Sequence, residues 1–284
     1  MQYTVETHTT SHKTPTATTT TITKDPSTKM PSTDITHLSD SEVSFLTPYL
    51  PESAPTQTQT KPPSLPFVTL TYACSLDGMI ALAPGVRTSL SGPETKSMTH
   101  YLRLKHDAIL VGAGTAVADA PSLNCRYPGA GLEEQPRPVV VDPKGRWEVK
   151  GSAVAKLAEE GRGKDPWVVS GGLYEIGAAK LVIAKQGKEG GMEWEEILRA
   201  LKEEGVESVM IEGGATVINA LLAKPHLVNS VIITIAPTWL GQGGLAASPA
   251  GTVVNSQRVN AASLLETSWR QFGADAVLCG KPAA

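Results

Sequence analysis

Residues Asp107 to Arg126, DAILVGAGTAVADAPSLNCR, constrain this chain more than any other stretch. Ala108-Ile109-Leu110-Val111 is an apolar run short enough to be a buried strand. Gly112-Ala113-Gly114 ends it, and a residue without a Cβ lets the backbone approach a ligand or take a positive φ. Thr115 can cap a short turn from Thr115 to Ala118, which Asp119 and Pro121 close. Ser122-Leu123-Asn124-Cys125-Arg126 then adds an amide and a guanidinium. A strand end, free N–H groups, a hydroxyl, a carboxylate and an arginine in one segment suit a phosphorylated ligand. The same residues also fit a plain strand, tight turn and surface loop.

Other strand–loop units surround this one. Phe67 to Cys74 is β-branched and aromatic, hence a strand, and Asp77-Gly78 after it marks a turn. Asp77 serves that turn or a ligand. Pro93 and Glu94 open a helix that runs to about Lys105. On it Lys96, His100 and Arg103 form one basic stripe, either a solvated face or a face toward the ligand. Strands follow at Pro138 to Asp142, Trp167 to Val169 and Leu181 to Ala184, with a helix from Ala153 to Glu160 after the first. Trp194, Ile197, Leu198 and Leu201 recur at helical spacing, and Gly205 lies just past that helix. Glu207 to Ile211 is a buried strand leading to Glu212, Gly213, Gly214 and a helix start. The unpaired N–H groups and positive dipole there fit a diphosphate, and a tight strand–helix connection is the plainer alternative. Val228 to Ala236 is strand-like, Pro237 to Pro249 reads as a flexible loop, and Ala262 to Gly280 reads as two antiparallel strands. Strands alternating with helices, then a terminal hairpin, predict an α/β fold with a mixed sheet.

Composition limits the alternatives. Residues 1–36, rich in Thr, Ser and Pro, cannot offset the entropy of ordering and are expected to be a disordered tail. Glu6, Asp25 and Asp34 argue against a transit peptide. Residues 37–66 read as a short helical arm starting at Ser39-Asp40-Ser41-Glu42, then a linker, and 67–284 as the compact domain. A net charge of -3 gives no basic field for nucleic acid. Three scattered cysteines, with no CxxC pair, point away from zinc and disulfides and toward a reducing, cytoplasmic compartment. No apolar run reaches membrane-spanning length.

Three stretches together, Tyr72 to Gly78, Gly112 to Arg126 and Ile211 to Asn219, resemble the fungal and archaeal pyrimidine reductases of riboflavin synthesis. They are similar also to the reductase half of the bacterial bifunctional deaminase-reductases. The resemblance implies a dihydrofolate-reductase-like sheet, a homodimer, and NADPH as hydride donor, with NADH tolerated. It places Thr115, Asp119, Gly213, Gly214, Ala215 and Thr216 at the cofactor, with Val169 or Ser170 as a further contact. It places Arg103, Leu123, Asn124, Arg126 and Glu212 at the substrate. Ser89 stands where the bacterial relatives carry a cofactor-contacting tryptophan. The deaminase zinc motif is absent, so reduction without deamination is implied.

The implied substrate is a pyrimidine bearing a ribosylamine 5′-phosphate, reduced to the open ribityl form. Arg103 and Arg126 are candidates for its phosphate, since guanidinium forks match phosphate oxygens. Glu212 and Asp77 are the candidate catalytic acids, with water as the alternative. No metal is called for. A reductase of another pterin or pyrimidine, and an NADPH-binding module without turnover, remain as rivals.

Overall fold

The computed structural model describes residues 3–7, 18–22, 34–52, 64–173, 176–177, 179–185 and 192–283. Most of the expected tail and of the expected linker lies outside them. The chain divides into Met1–Asp34 and Ile35–Ala284. In the first unit β1 (Tyr3–Thr7) and β2 (Thr18–Ile22) pair antiparallel.

The second unit opens with α1 (Asp40–Leu46), which a capping box starts: Ser39 accepts from Glu42 N–H while the Glu42 carboxylate accepts from Ser39 N–H. Then come β3 (Phe67–Cys74), β4 (Met79–Ala81), α2 (Pro93–Leu104), β5 (Ala108–Gly112), α3 (Ala113–Asp119), β6 (Arg137–Val141), α4 (Ala153–Glu159), β7 (Trp167–Ser170) and β8 (Lys180–Ile183). The remainder is α5 (Trp194–Glu203), β9 (Ser208–Ile211), α6 (Ala215–Leu222), β10 (Ser230–Ile235), β11 (Leu245–Ala246), β12 (Thr252–Val254), β13 (Gln257–Val259), β14 (Leu264–Phe272) and β15 (Asp275–Pro282).

Among the described residues, nine strands form one sheet in the order β14-β15-β10-β3-β9-β5-β6-β7-β8. From β10 to β8 every neighbouring pair is parallel, while β15 runs antiparallel to both β10 and β14. The expected mixed sheet with its terminal antiparallel pair is therefore what the chain forms.

Alternation within the strands decides the two faces. Leu110, Val139, Val209 and Ile211 face a core with α5 and α6, whereas Ile109, Val111 and Val140 face α3 and α4. Met210, Ile232, Val277 and Cys279 pack with α2 and with Leu46, Tyr49 and Leu50 of the N-terminal arm. Asp275, in the terminal hairpin, holds the start of α2: its Oδ2 accepts from Gly92 N–H at 2.8 Å and from the Thr95 hydroxyl at 2.5 Å. The helix that carries Arg103 is thus fixed at its N-terminus by a residue far along the chain.

Its other end is fixed by His106. The imidazole Nδ1–H donates to Leu102 O at 2.7 Å, Nε2 accepts the Thr69 hydroxyl at 2.8 Å, and Ser230 donates to Thr69 at 3.2 Å. Burial holds His106 at about 4, and burial with the nearby Arg103 and Arg126 charges holds His100 at about 3. Both therefore stay neutral in the folded chain while the unfolded chain takes up their protons below about 6.5. Stability is full above that pH and falls on acidification, by roughly 2 kcal/mol per histidine between pH 7 and 5. Urea midpoints at the two pH values measure this, and a His106→Gln variant is expected to show about half the dependence. A flat midpoint would contradict the assignment.

Candidate active site

Because seven strands are parallel, their C-terminal ends share one edge of the sheet. At that edge the chain leaves β5 toward β6 on one side and leaves β9 toward β10 on the other. Such a switch point opens a crevice between neighbouring strands, where ligands of open α/β sheets bind. Thr115 and the pair Gly213-Gly214 meet in it. The Thr115 hydroxyl donates to Gly213 O at 3.0 Å. It does not cap α3, whose N-cap is Gly112. Gly213 takes φ +50°, and a Cβ there would stand 3.1–3.2 Å from Ile218 and Val217. At Gly214 a Cβ would lie 2.6 Å from the Thr115 hydroxyl.

Gly214 is the N-cap of α6 and offers no side chain to its first turn. The N–H groups at Ala215 and Thr216 thus point their partial positive charge at the crevice. A glycine cradle that a single methyl would fill, with an uncapped helix start and a hydroxyl beside it, fits a dinucleotide diphosphate. Asp119 ends α3. Val169 is buried and its carbonyl accepts from Asp142 N–H at 3.0 Å, so both its side chain and its carbonyl are committed to the sheet. Ser170 is also buried, its hydroxyl accepting from Gly172 N–H at 3.3 Å.

The expected substrate residues gather on the α2 side of the same crevice. Arg103 grips Glu212 through Nε–Oε1 at 3.0 Å and through Nη2 to Oε1 and Oε2, each at 2.9 Å. Its Nη1 donates to Asn124 O at 2.8 Å. One guanidinium therefore ties together α2, the end of β9 and the loop after α3. Arg103 spends most of its donors on Glu212 and Asn124, which fixes the direction of the Glu212 carboxylate. Leu123 has φ +53° while its side chain is buried among Ile109, Val111 and Val140. Only its backbone can face a ligand, and strain of this kind gathers at binding sites.

Arg126 is exposed, and its backbone N–H donates to His100 Nδ1 at 2.9 Å. Its Nη2 lies 3.1 Å from His100 Nε2. The basic stripe of α2 is not a solvated face: Lys96 is exposed, but His100 is buried and Arg103 is paired. The spacing of the stripe was the signal for this, yet nothing in the sequence tells that His100 meets Arg126.

Asp77 lies in the turn after β3. Its carboxylate accepts from the Ser75 hydroxyl, from Gly241 N–H at 2.8 Å and from Leu240 N–H at 3.2 Å. These bonds, the Ser75 one foremost, hold the carboxyl below the usual carboxylate range. It ties the turn after β3 to the segment after β10. Nor is Pro237 to Pro249 only a loop: β11 pairs with β4, and Asn219 Nδ2 donates to Ala246 O at 3.2 Å.

Residues 66–278 match the family model for the RibD C-terminal domain. The chain belongs to that family. It is an oxidoreductase, as are its named relatives. One, from Eremothecium gossypii, is 46% identical over 87% of this chain and 98% of its own length; it is named 2,5-diamino-6-ribosylamino-4(3H)-pyrimidinone 5′-phosphate reductase. The Saccharomyces cerevisiae relative of the same name is 42% identical over 88% of this chain and 98% of its own. Among solved structures, the Saccharomyces cerevisiae riboflavin biosynthesis reductase Rib7 is similar at a TM-score of 0.71 and 39% identity, covering 86% of this chain and all of that one.

Proposed function

We propose that this RibD C-terminal domain protein uses NADPH to reduce the ribosyl side chain of 2,5-diamino-6-ribosylamino-4(3H)-pyrimidinone 5′-phosphate to the ribityl form. The observation that carries the reading is the meeting, at one switch point, of a glycine cradle with a carboxylate aimed by a guanidinium. Gly213, Gly214, Ala215 and Thr216 hold the diphosphate, with Thr115 and Asp119 from the neighbouring turn. A reduced nicotinamide bound there would supply a hydride to C1′ of the opened ribosylamine, an imine, and be left oxidised, with water supplying the proton to the imine nitrogen. Glu212, held by Arg103, accepts from the N–H or hydroxyl groups of the substrate and orients C1′. Asn124 and the backbone of Leu123 line the same side. Arg126 binds the 5′-phosphate at the mouth of the crevice.

Absorbance at 340 nm tests this. NADPH is expected to be oxidised when the ribosylaminopyrimidine phosphate is added and to be stable without it. Binding of NADPH with no substrate-dependent oxidation would instead favour a sensor without turnover, and oxidation with dihydrofolate but not with this substrate would favour the pterin reading.

We also infer a homodimer in a reducing, cytoplasmic compartment. On the α6 face the sheet leaves a groove of about 710 Å³ lined by Tyr72, Val231, Ile233, Leu264 and Leu278, apolar surface of the kind a second copy covers. All three cysteines are buried and free. No helix among the described residues is long and apolar enough to cross a membrane.

A further inference from the structure

Arg126 makes two contacts with one imidazole, and their chemistry does not agree. Its backbone N–H reaches Nδ1 at 2.9 Å and its Nη2 stands 3.1 Å from Nε2. Backbone amides and guanidinium nitrogens donate only. A neutral imidazole has one acceptor nitrogen and one N–H. The backbone bond claims Nδ1 as the acceptor, so the ring proton sits on Nε2. Nε2–H and Nη2–H are then two donors directed at each other, a contact that neither group satisfies alone.

The surroundings fix this state. His100 is 4% exposed, so its ring cannot turn away into solvent. Its own carbonyl accepts from the Cys125 thiol at 3.2 Å, which holds the segment after α3 against α2. Burial and the charges of Arg103 and Arg126 keep the ring neutral at pH 7, so it does not become a second cation against the guanidinium. Two adjacent N–H groups, one on a cation and one on a fixed neutral ring, are complementary to a single anionic oxygen with two lone pairs.

We propose that His100 is a phosphate-binding residue, its Nε2–H and the Arg126 guanidinium sharing one oxygen of the substrate 5′-phosphate. This rests on the function proposed above and adds to it a neutral donor fixed by its tautomer. It also gives a reason for discrimination. An uncharged 5′-hydroxyl oxygen can accept from both N–H groups but carries no charge, so its bonds to them are weaker than those of a phosphate oxygen and it leaves the guanidinium unneutralised.

Kinetics with the 5′-phosphorylated substrate and with its dephosphorylated counterpart test this, for the native chain, His100→Ala and His100→Gln. Loss of a hydrogen bond to a charged group is expected to raise KM for the phosphorylated substrate roughly tenfold to a hundredfold. The ratio of kcat/KM for the two substrates is expected to fall by at least tenfold in His100→Ala. His100→Gln, whose amide N–H can stand near Nε2–H, is expected to recover much of that ratio. Equal losses on both substrates, or no loss, would overturn the proposal, because a structural prop for the Arg126 loop does not distinguish them. Titration of the native chain with inorganic phosphate, followed by the NMR signal of His100 Nε2–H, needs no turnover. A saturable shift that Arg126→Ala weakens supports the site even if the assigned reaction fails, and an unmoved signal rejects it even if the reaction stands.

Discussion

Gly214→Val is expected to raise the dissociation constant for NADPH by at least about a hundredfold, a loss of about 3 kcal/mol. The first carbon of any side chain there would stand 2.6 Å from the Thr115 hydroxyl, closer than a carbon approaches. Thr115 must turn away and give up its bond to Gly213 O, which joins the two halves of the crevice. The branched methyls then cover the N–H groups of the α6 start that would face the diphosphate. Gly214 itself has φ -144°, ordinary extended backbone, so the fold is expected to survive with a urea midpoint near the native one. Gly213→Ala separates the two effects. It forces a side chain to φ +50° against Ile218 and Val217, and its cost, about 1–3 kcal/mol, appears in stability as well. Fluorescence titration of NADPH beside urea unfolding reads both. Native affinity in Gly214→Val would place the diphosphate elsewhere.

Glu212→Ala is expected to harm both catalysis and folding, and Glu212→Gln chiefly catalysis. The Arg103 and Glu212 side chains are 12% and 22% exposed, so the pair is largely withdrawn from water. Truncating the carboxylate leaves the guanidinium with a single carbonyl partner, and removing one member of a buried pair costs about 3 kcal/mol at the lower end of the usual range. Glutamine keeps the shape and one acceptor, so most of the stability should remain. The amide forms a weaker and differently aimed contact with the substrate, and kcat/KM is expected to fall roughly tenfold to a hundredfold. If Glu212 orients the substrate, the pH–rate profile of the Gln variant keeps its shape at a lower level. Loss of one limb of the profile would instead identify Glu212 as the proton donor. A double cycle with Arg103→Ala gives the coupling: strongly non-additive losses are expected, and additive ones would dissolve the pair.

The strands were legible because apolar runs as short as Ala108 to Val111 and Val209 to Ile211 end in glycine-bearing turns, and α2 and α5 because apolar positions recur at helical spacing. The glycine pair after β9 was legible only as one of two readings, since two glycines at a strand–helix junction also make a plain tight connection. What the sequence withheld is pairing between distant segments. Thr115 looks like a cap by local rules, yet its hydroxyl serves Gly213, 98 residues on. Arg103 looks like a phosphate ligand by charge, yet a carboxylate 109 residues away takes most of its donors. Asp77 beside Gly78 has the local signature of a turn, and the N–H groups of Leu240 and Gly241 fill it. His106 carries no motif at all, because its role is set by a threonine and a serine on two other strands. Local rules read the backbone and its punctuation; partner choice is decided only when the sheet order brings β5 beside β9.

The structure of the chain with NADPH bound tests the central claim most directly. The diphosphate is expected over the N–H groups of Gly214, Ala215 and Thr216, beside the Thr115 hydroxyl, with the nicotinamide directed toward Glu212. A dinucleotide bound elsewhere, away from the crevice between β5 and β9, would contradict both the site and the reaction assigned to it.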